Sequence, residues 1–93
     1  MDVVLLHVTT EAAWVAAQLA GRIEGVPFLH LCTEAQLPFV LGRHFVGRSG
    51  LLVVRVDPAG LDVRWEVSEP GLAPFPHLYG ALPVAAVTGV SAA

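Results

Sequence analysis

Lysine is absent, and the five cations are all arginine, scattered from Arg22 to Arg64 against eight carboxylates, for a net charge of −3. Affinity for duplex nucleic acid rests on neutralising phosphates with clustered cations, so the chain offers no footprint for that partner. A single cysteine, Cys32, has no second thiol for an internal disulfide, in keeping with a reducing compartment. No apolar run approaches the ~20 residues of a membrane helix. The longest, such as Val3–Leu6 and Leu51–Val54, are strand-sized. No basic segment leads into an apolar one after Met1-Asp2, so no secretory signal is expected. Charged residues make up only 14% of the chain and hydrophobic ones 55%, which excludes disorder. The expectation is one soluble cytoplasmic domain over residues 1–93, with no membrane partner. Its thin core leaves apolar surface for a second copy of the chain, a homo-oligomer.

The order of segments predicts an α+β fold. Val3–Val8 alternates too weakly for a wet face and reads as a strand buried on both sides. Thr9 or Thr10 then caps a helix from about Glu11 to Gly21. That helix is apolar nearly all round, so burial on more than one side is expected. Pro27–Cys32 reads as a second strand. Thr33 to Gln36 has capping-box spacing and opens a helix with the stripe Leu37, Val40, Leu41, His44 and Phe45. Pro38 lies deep enough to bend its first turn, and Gly47 ends it. Leu51–Val56 is a third strand, stopped by Asp57-Pro58. Val63, Trp65 and Val67 alternate with Arg64, Glu66 and Ser68, a strand with one polar face. Residues 69–76 form a Pro/Gly loop before the strand-like His77–Tyr79, a turn at Gly80 and a last apolar segment near Ala85–Val90.

Residues two apart on a strand share a face. His7 therefore lies with Val3 and Leu5, and His30 with Phe28 and Cys32. An imidazole on an apolar face needs a hydrogen-bond partner, so each is either a satisfied core histidine or a ligand-facing group. His-x-His, His-Glu-x-x-His and Cys-x-x-Cys spacings are missing. No metal is expected, although strands could gather His7, His30 and His77. Glu66 is either half of a solvated pair with Arg64 or a carboxylate aimed into a cleft. Cys32 is either a core thiol or a nucleophile beside His30. Phe75-Pro76-His77-Leu78-Tyr79-Gly80 suits the wall of a pocket for a flat ligand, or a core plug. The isomer of the Phe75-Pro76 bond stays open. Arg43 and Arg48 either complement a helix C-terminus or grip a diphosphate.

Several landmarks, in order, resemble the bacterial and plant domain-of-unknown-function family numbered 952. These are Leu6-His7-Val8-Thr9 with Trp14; Phe28-Leu29-His30 with Thr33 and Gln36-Leu37; Arg43, Phe45 and Gly47; Val56-Asp57; and Arg64-Trp65-Glu66. The most specific is Phe75-Pro76-His77-Leu78-Tyr79-Gly80 followed by Leu82-Pro83. That family is similar to the ADP-ribosyltransferase-like superfamily. The resemblance implies two early helices on a small split, twisted, mostly antiparallel sheet with a nicotinamide-dinucleotide cleft. It implies NAD or a related nucleotide as ligand or substrate, no metal, and glycosidic-bond transfer or cleavage if the protein is an enzyme. By the same resemblance His7 anchors the ribose and His30 packs the nicotinamide side, with Thr9, Thr33, Arg43 and Tyr79 as further ligand-binding positions. Glu66 and His77 are the catalytic candidates. Two departures bear on the ligand: Cys32 stands where the family usually has serine, which weakens a ribose or phosphate contact there, and the stretch from Gly21 to Phe28 is short, which reduces a ligand-covering loop. The competing expectation is a non-catalytic ligand- or protein-binding module that self-associates.

Overall fold

A computed structural model describes residues 4–93, so the expectations placed on Met1, Asp2 and Val3 lie outside the described residues. The chain runs β1 (Leu5–Thr10), α1 (Glu11–Ala20), β2 (Arg22–Ile23), β3 (Leu29–His30), α2 (Leu37–His44), β4 (Leu51–Val56), β5 (Val63–Glu66), β6 (Phe75–Leu78), β7 (Leu82–Pro83), a 3-10 turn (Val84–Ala86) and β8 (Val87–Ala92). It is an α+β fold of small antiparallel sheets ordered β1-β4-β8, β2-β7 and β3-β6-β5.

β4 sits in the middle of its sheet because it is apolar on both faces. Its register pairs Leu5 with Val56, His7 with Val54 and Val8 with Val53. Leu5, Val54 and Val56 pack with Leu29, Leu31, Leu78 and Leu82 in one core cluster, while Leu6, Cys32 and Val53 form a second with Leu37 and Val40 beside them. β1 is thus buried on both sides, as its weak alternation predicts. Each such side chain contributes roughly 1.5–3 kcal/mol relative to exposure. Leu6 and Cys32 exchange backbone hydrogen bonds of 2.7 and 2.8 Å. This isolated bridge stitches the β1 sheet to the segment that follows β3, and it is why His7 and His30 come together.

Thr10, rather than Thr9, caps α1, its hydroxyl accepting from the Ala13 N–H at 3.1 Å, and Gly21 closes the helix at φ 82°. The expected burial on several sides is not found. Only Ala17 is buried, and Val15 and Leu19 are 56% and 87% exposed. One stripe, including Trp14, meets the sheet, and nothing covers the other side of the helix among the described residues. In α2 both capping-box bonds form between Thr33 and Gln36 at 3.1 Å, yet the helix begins only at Leu37. Pro38 therefore falls in the first turn, where a missing N–H costs nothing. Phe45, ahead of Gly47, is the C-terminal cap.

Three further expectations are corrected. The second strand shrinks to Leu29–His30, preceded by a cis Val26–Pro27 bond, whereas Phe75–Pro76 is trans. β6 starts at Phe75, inside the expected loop, and carries Pro76 fully buried. In β5 the expected alternation holds at its start, where Val63 packs against the core and Arg64 is exposed, but not beyond it: Trp65 is 51% exposed and Val67 is exposed, while Glu66 is half-buried. In the register Arg64 lies opposite His77 and Glu66 opposite Phe75, and Glu66 is drawn in by His77 and Tyr79 on the neighbouring strand segment. The Arg64–Glu66 row of β5 thus stands beside the Phe75–His77 row of β6. The β2-β7 pair, two residues a side, has no counterpart in the sequence expectations.

Candidate functional site

Pairing of His30 with His77 across β3 and β6, and the bridge from Leu6 to Cys32, deliver three imidazoles to one cleft of about 500 Å³. His7, His30 and His77 line it together with Phe28 and Ser68, and Val40, Phe45, Leu72 and Phe75 give it apolar walls.

His7 is half-buried, and its Nδ1 lies 2.9 Å from the His30 carbonyl oxygen. A carbonyl only accepts, so Nδ1 carries the proton and neutral His7 keeps an acceptor lone pair on Nε2. Burial holds the His7 pKa below the usual histidine value, against the opposing effect of that hydrogen bond. The neutral form is favoured. His30 is exposed, and its pKa is lowered too, first by partial removal of the ring from water and then by His77 and His44.

His77 is 4% exposed. Phe28 stacks on its ring at 3.9 Å and 19°, and His30 meets it edge-on at 5.5 Å. Its Nδ1 is 2.9 Å from Glu66 Oε1, and the Tyr79 hydroxyl donates to the same oxygen at 2.5 Å. These bonds, Tyr79 first, hold the Glu66 carboxyl below its ordinary pKa, and the same contact pushes the Tyr79 hydroxyl up. Glu66 is therefore an acceptor-only carboxylate, and His77 carries its proton on Nδ1. Nε2 faces Ser68 Oγ at 3.5 Å. Arg64 is not the partner of Glu66: its guanidinium is paired with Asp62 at 3.0 Å and lies 4.2 Å over the Tyr79 ring.

Of the expected site residues, His7, His30 and His77 are brought together in the cleft. Glu66 and Tyr79 stand behind His77 and do not line it. Thr9 pairs with Leu52 within the β1 sheet, Thr33 is spent on the capping box, and Arg43 is tied to Glu69 at 2.6 Å. Cys32 is buried, and burial pushes its thiol up to about 11. A thiol held protonated in this way is no nucleophile at neutral pH. Among the described residues no three His, Cys, Asp or Glu side chains are arranged to hold a metal ion. Phe28 and Ser68 were not among the expected site residues. The signal for each was parity alone, since Phe28 shares a strand face with His30, and Ser68 with Glu66.

The family described as a protein of unknown function, DUF952, matches residues 8–90 of the chain. Crystal structures of protein CC0527 from Caulobacter crescentus, the original sequence and a double mutant, are each 32% identical to it with a TM-score of 0.84. Each alignment covers 96% of this chain and 84% of that one. A solution NMR structure of CC0527 gives 34% identity and a TM-score of 0.82 over 96% of this chain and 83% of that one. Nothing among curated proteins matches the chain. No helix of the described residues is long and apolar enough to cross a membrane.

Proposed function

The chain belongs to the DUF952 family, and we propose that its cleft binds a nucleotide of the NAD type, holding the ring and its ribose without cleaving them. One observation carries the reading: the His7 ring, whose Nδ1–H donates to the His30 backbone carbonyl at 2.9 Å, and the His30 ring line the same aromatic-walled cleft. The identity of the ligand leans on the resemblance to the ADP-ribosyltransferase-like superfamily, and the mode of binding on the cleft itself. His7 Nε2 accepts from a ribose hydroxyl, and the exposed edge of His30 meets the planar ring between Phe28 and Phe75. Glu66 does not line the cleft, so no free carboxylate stands where loss of nicotinamide would leave a cation at C1′. Binding of the nucleotide rather than cleavage at its C1′ is what this arrangement favours. A diphosphate would have to draw Arg43 from Glu69.

The test is residue-resolved NMR titration with NAD. His7, Phe28, His30 and Phe75 are expected to shift together and saturate, while Thr9 and Thr33 hold still. Shifts confined to residues outside the cleft would overturn the reading.

A second reading, a self-associating module, is favoured by α1, whose Val15 and Leu19 lie open to solvent. Sedimentation equilibrium then gives a mass that rises with concentration. A monomer mass unchanged up to millimolar protein would sink it.

A further inference from the structure

Ser68, His77 and Glu66 stand in one line, and the geometry points to a nucleophilic serine that cleaves small uncharged carboxylic esters. This inference stands on side-chain geometry and does not rest on the nucleotide reading. The carboxylate of Glu66 fixes the proton of His77 on Nδ1 at 2.9 Å, which leaves Nε2 as a base aimed at Ser68 Oγ 3.5 Å away. A nucleophile, a base and an orienting carboxylate in these roles define an activated hydroxyl by geometry, on whatever fold they occur. The 3.5 Å separation is long, as such contacts often are before a substrate is bound, and Ser68 is exposed. Tyr79 donates to the same Glu66 oxygen and keeps the carboxylate in place. Phe28, stacked on His77, shields one face of the imidazole from water.

Both Ser68 and His77 line the cleft, so an ester bound there reaches them. Phe75 and Leu72 beside them suit an apolar acyl group. The one carboxylate in this part of the lining, Glu69, is neutralised by Arg43, so an uncharged substrate meets no repulsion. Ser68 Oγ adds to the ester carbonyl carbon while its proton passes to His77 Nε2. The bond to the alcohol oxygen breaks, and the alcohol leaves with that proton. Water, giving a proton to Nε2 in turn, releases the acid and restores Ser68. Ser68 and His77 are the catalytic residues, and Glu66 is a positioning residue.

The experiment labels the full chain with a fluorophosphonate, which phosphonylates activated serines, and locates the adduct by peptide mass mapping. Ser49 and Ser91 serve as internal controls. Ser68 is expected to react faster than either by at least about a hundredfold, the usual worth of a positioned base. Ser68→Ala abolishes that adduct, and p-nitrophenyl butyrate hydrolysis falls with it. Glu66→Gln slows labelling at least about tenfold, and the His77 imidazole 15N spectrum loses its single Nδ1–H tautomer. A Glu66 that only held the fold would leave Ser68 labelling at its native rate even as that spectrum moved. Ser68 labelling no faster than Ser49 and Ser91, or labelling unchanged in Glu66→Gln, would overturn the inference.

Discussion

Alanine at Gly25 is expected to lower the melting temperature by about 5–20 °C and to weaken the cleft with it. A Cβ at this position would stand 2.7 Å from the Phe28 carbonyl oxygen and 2.8 Å from Leu29 Cα. Both are backbone atoms, and Leu29 is locked in the core and paired with Leu78. Neither can give way alone, so the segment carrying Phe28 and His30 must shift. Overpacking of this kind costs about 1–3 kcal/mol, and a domain of this size loses roughly 4–8 °C per kcal/mol. Gly42 in α2 is the control. A Cβ there meets nothing within 4 Å, and alanine in an exposed helix interior should stabilise by about 0.5–1 kcal/mol. Thermal melts of the two variants should move in opposite directions. Equal melting temperatures would show that Gly25 is not packed against Phe28 and Leu29.

Acidification from pH 7 to 5 is expected to destabilise the fold, chiefly through His7. Its folded pKa lies below the ordinary value of 6.5, with burial as the largest cause. Above pH 6.5 neither state holds the proton, and the full stability is present. As pH falls below 6.5 the unfolded chain takes up a proton that the folded one refuses, so stability drops until the folded pKa is passed. The slope reaches at most about 1.4 kcal/mol per pH unit for one such group. His30 shifts the same way, but its exposure makes its share the smaller one. Glu66 adds a later loss: its folded pKa is depressed from the ordinary 4.5, so its contribution is present above that pH and disappears as pH falls through the folded value. Denaturant melts across this range should show the first slope in the native protein and a shallower one in His7→Asn, which keeps a donor for the His30 carbonyl. A flat response between pH 7 and 5, or the same slope in the variant, would contradict the assignment.

Local signals carried much of the fold. Leu51–Val56 reads as an apolar strand and is one. A threonine cap and Gly21 bound α1 as capping chemistry requires. The apolar faces of the two strand histidines left each open as a core or a ligand-facing group, and only the family resemblance put both in one site; the cleft is lined by both. What could not be read depends on pairing between distant segments. Glu66 stayed open between a solvated pair with Arg64 and a carboxylate aimed into a cleft, whereas the β5–β6 pairing brings its side chain to His77 and Tyr79 instead. Arg43 looked free until the loop after β5 brought Glu69 to it. The burial of α1 was overestimated because an alanine-rich helix shows no polar face whether or not a second layer covers it. Pro76 hid β6 inside an apparent loop, because a proline within a run argues against a strand, and the central place of β6 is fixed by its partners rather than by its own composition.

Isothermal titration of the purified chain with NAD, beside His7→Ala and His30→Ala, tests the central claim most directly. The account predicts saturable heat for the native protein and binding weaker by about tenfold or more in each variant, the worth of a hydrogen bond or ring contact made to the ligand. Melting of the variants as folded proteins makes that comparison valid. No heat from the native protein up to millimolar NAD, or variants that bind as the native chain does, would contradict the assignment of the His7–His30 cleft to a nucleotide.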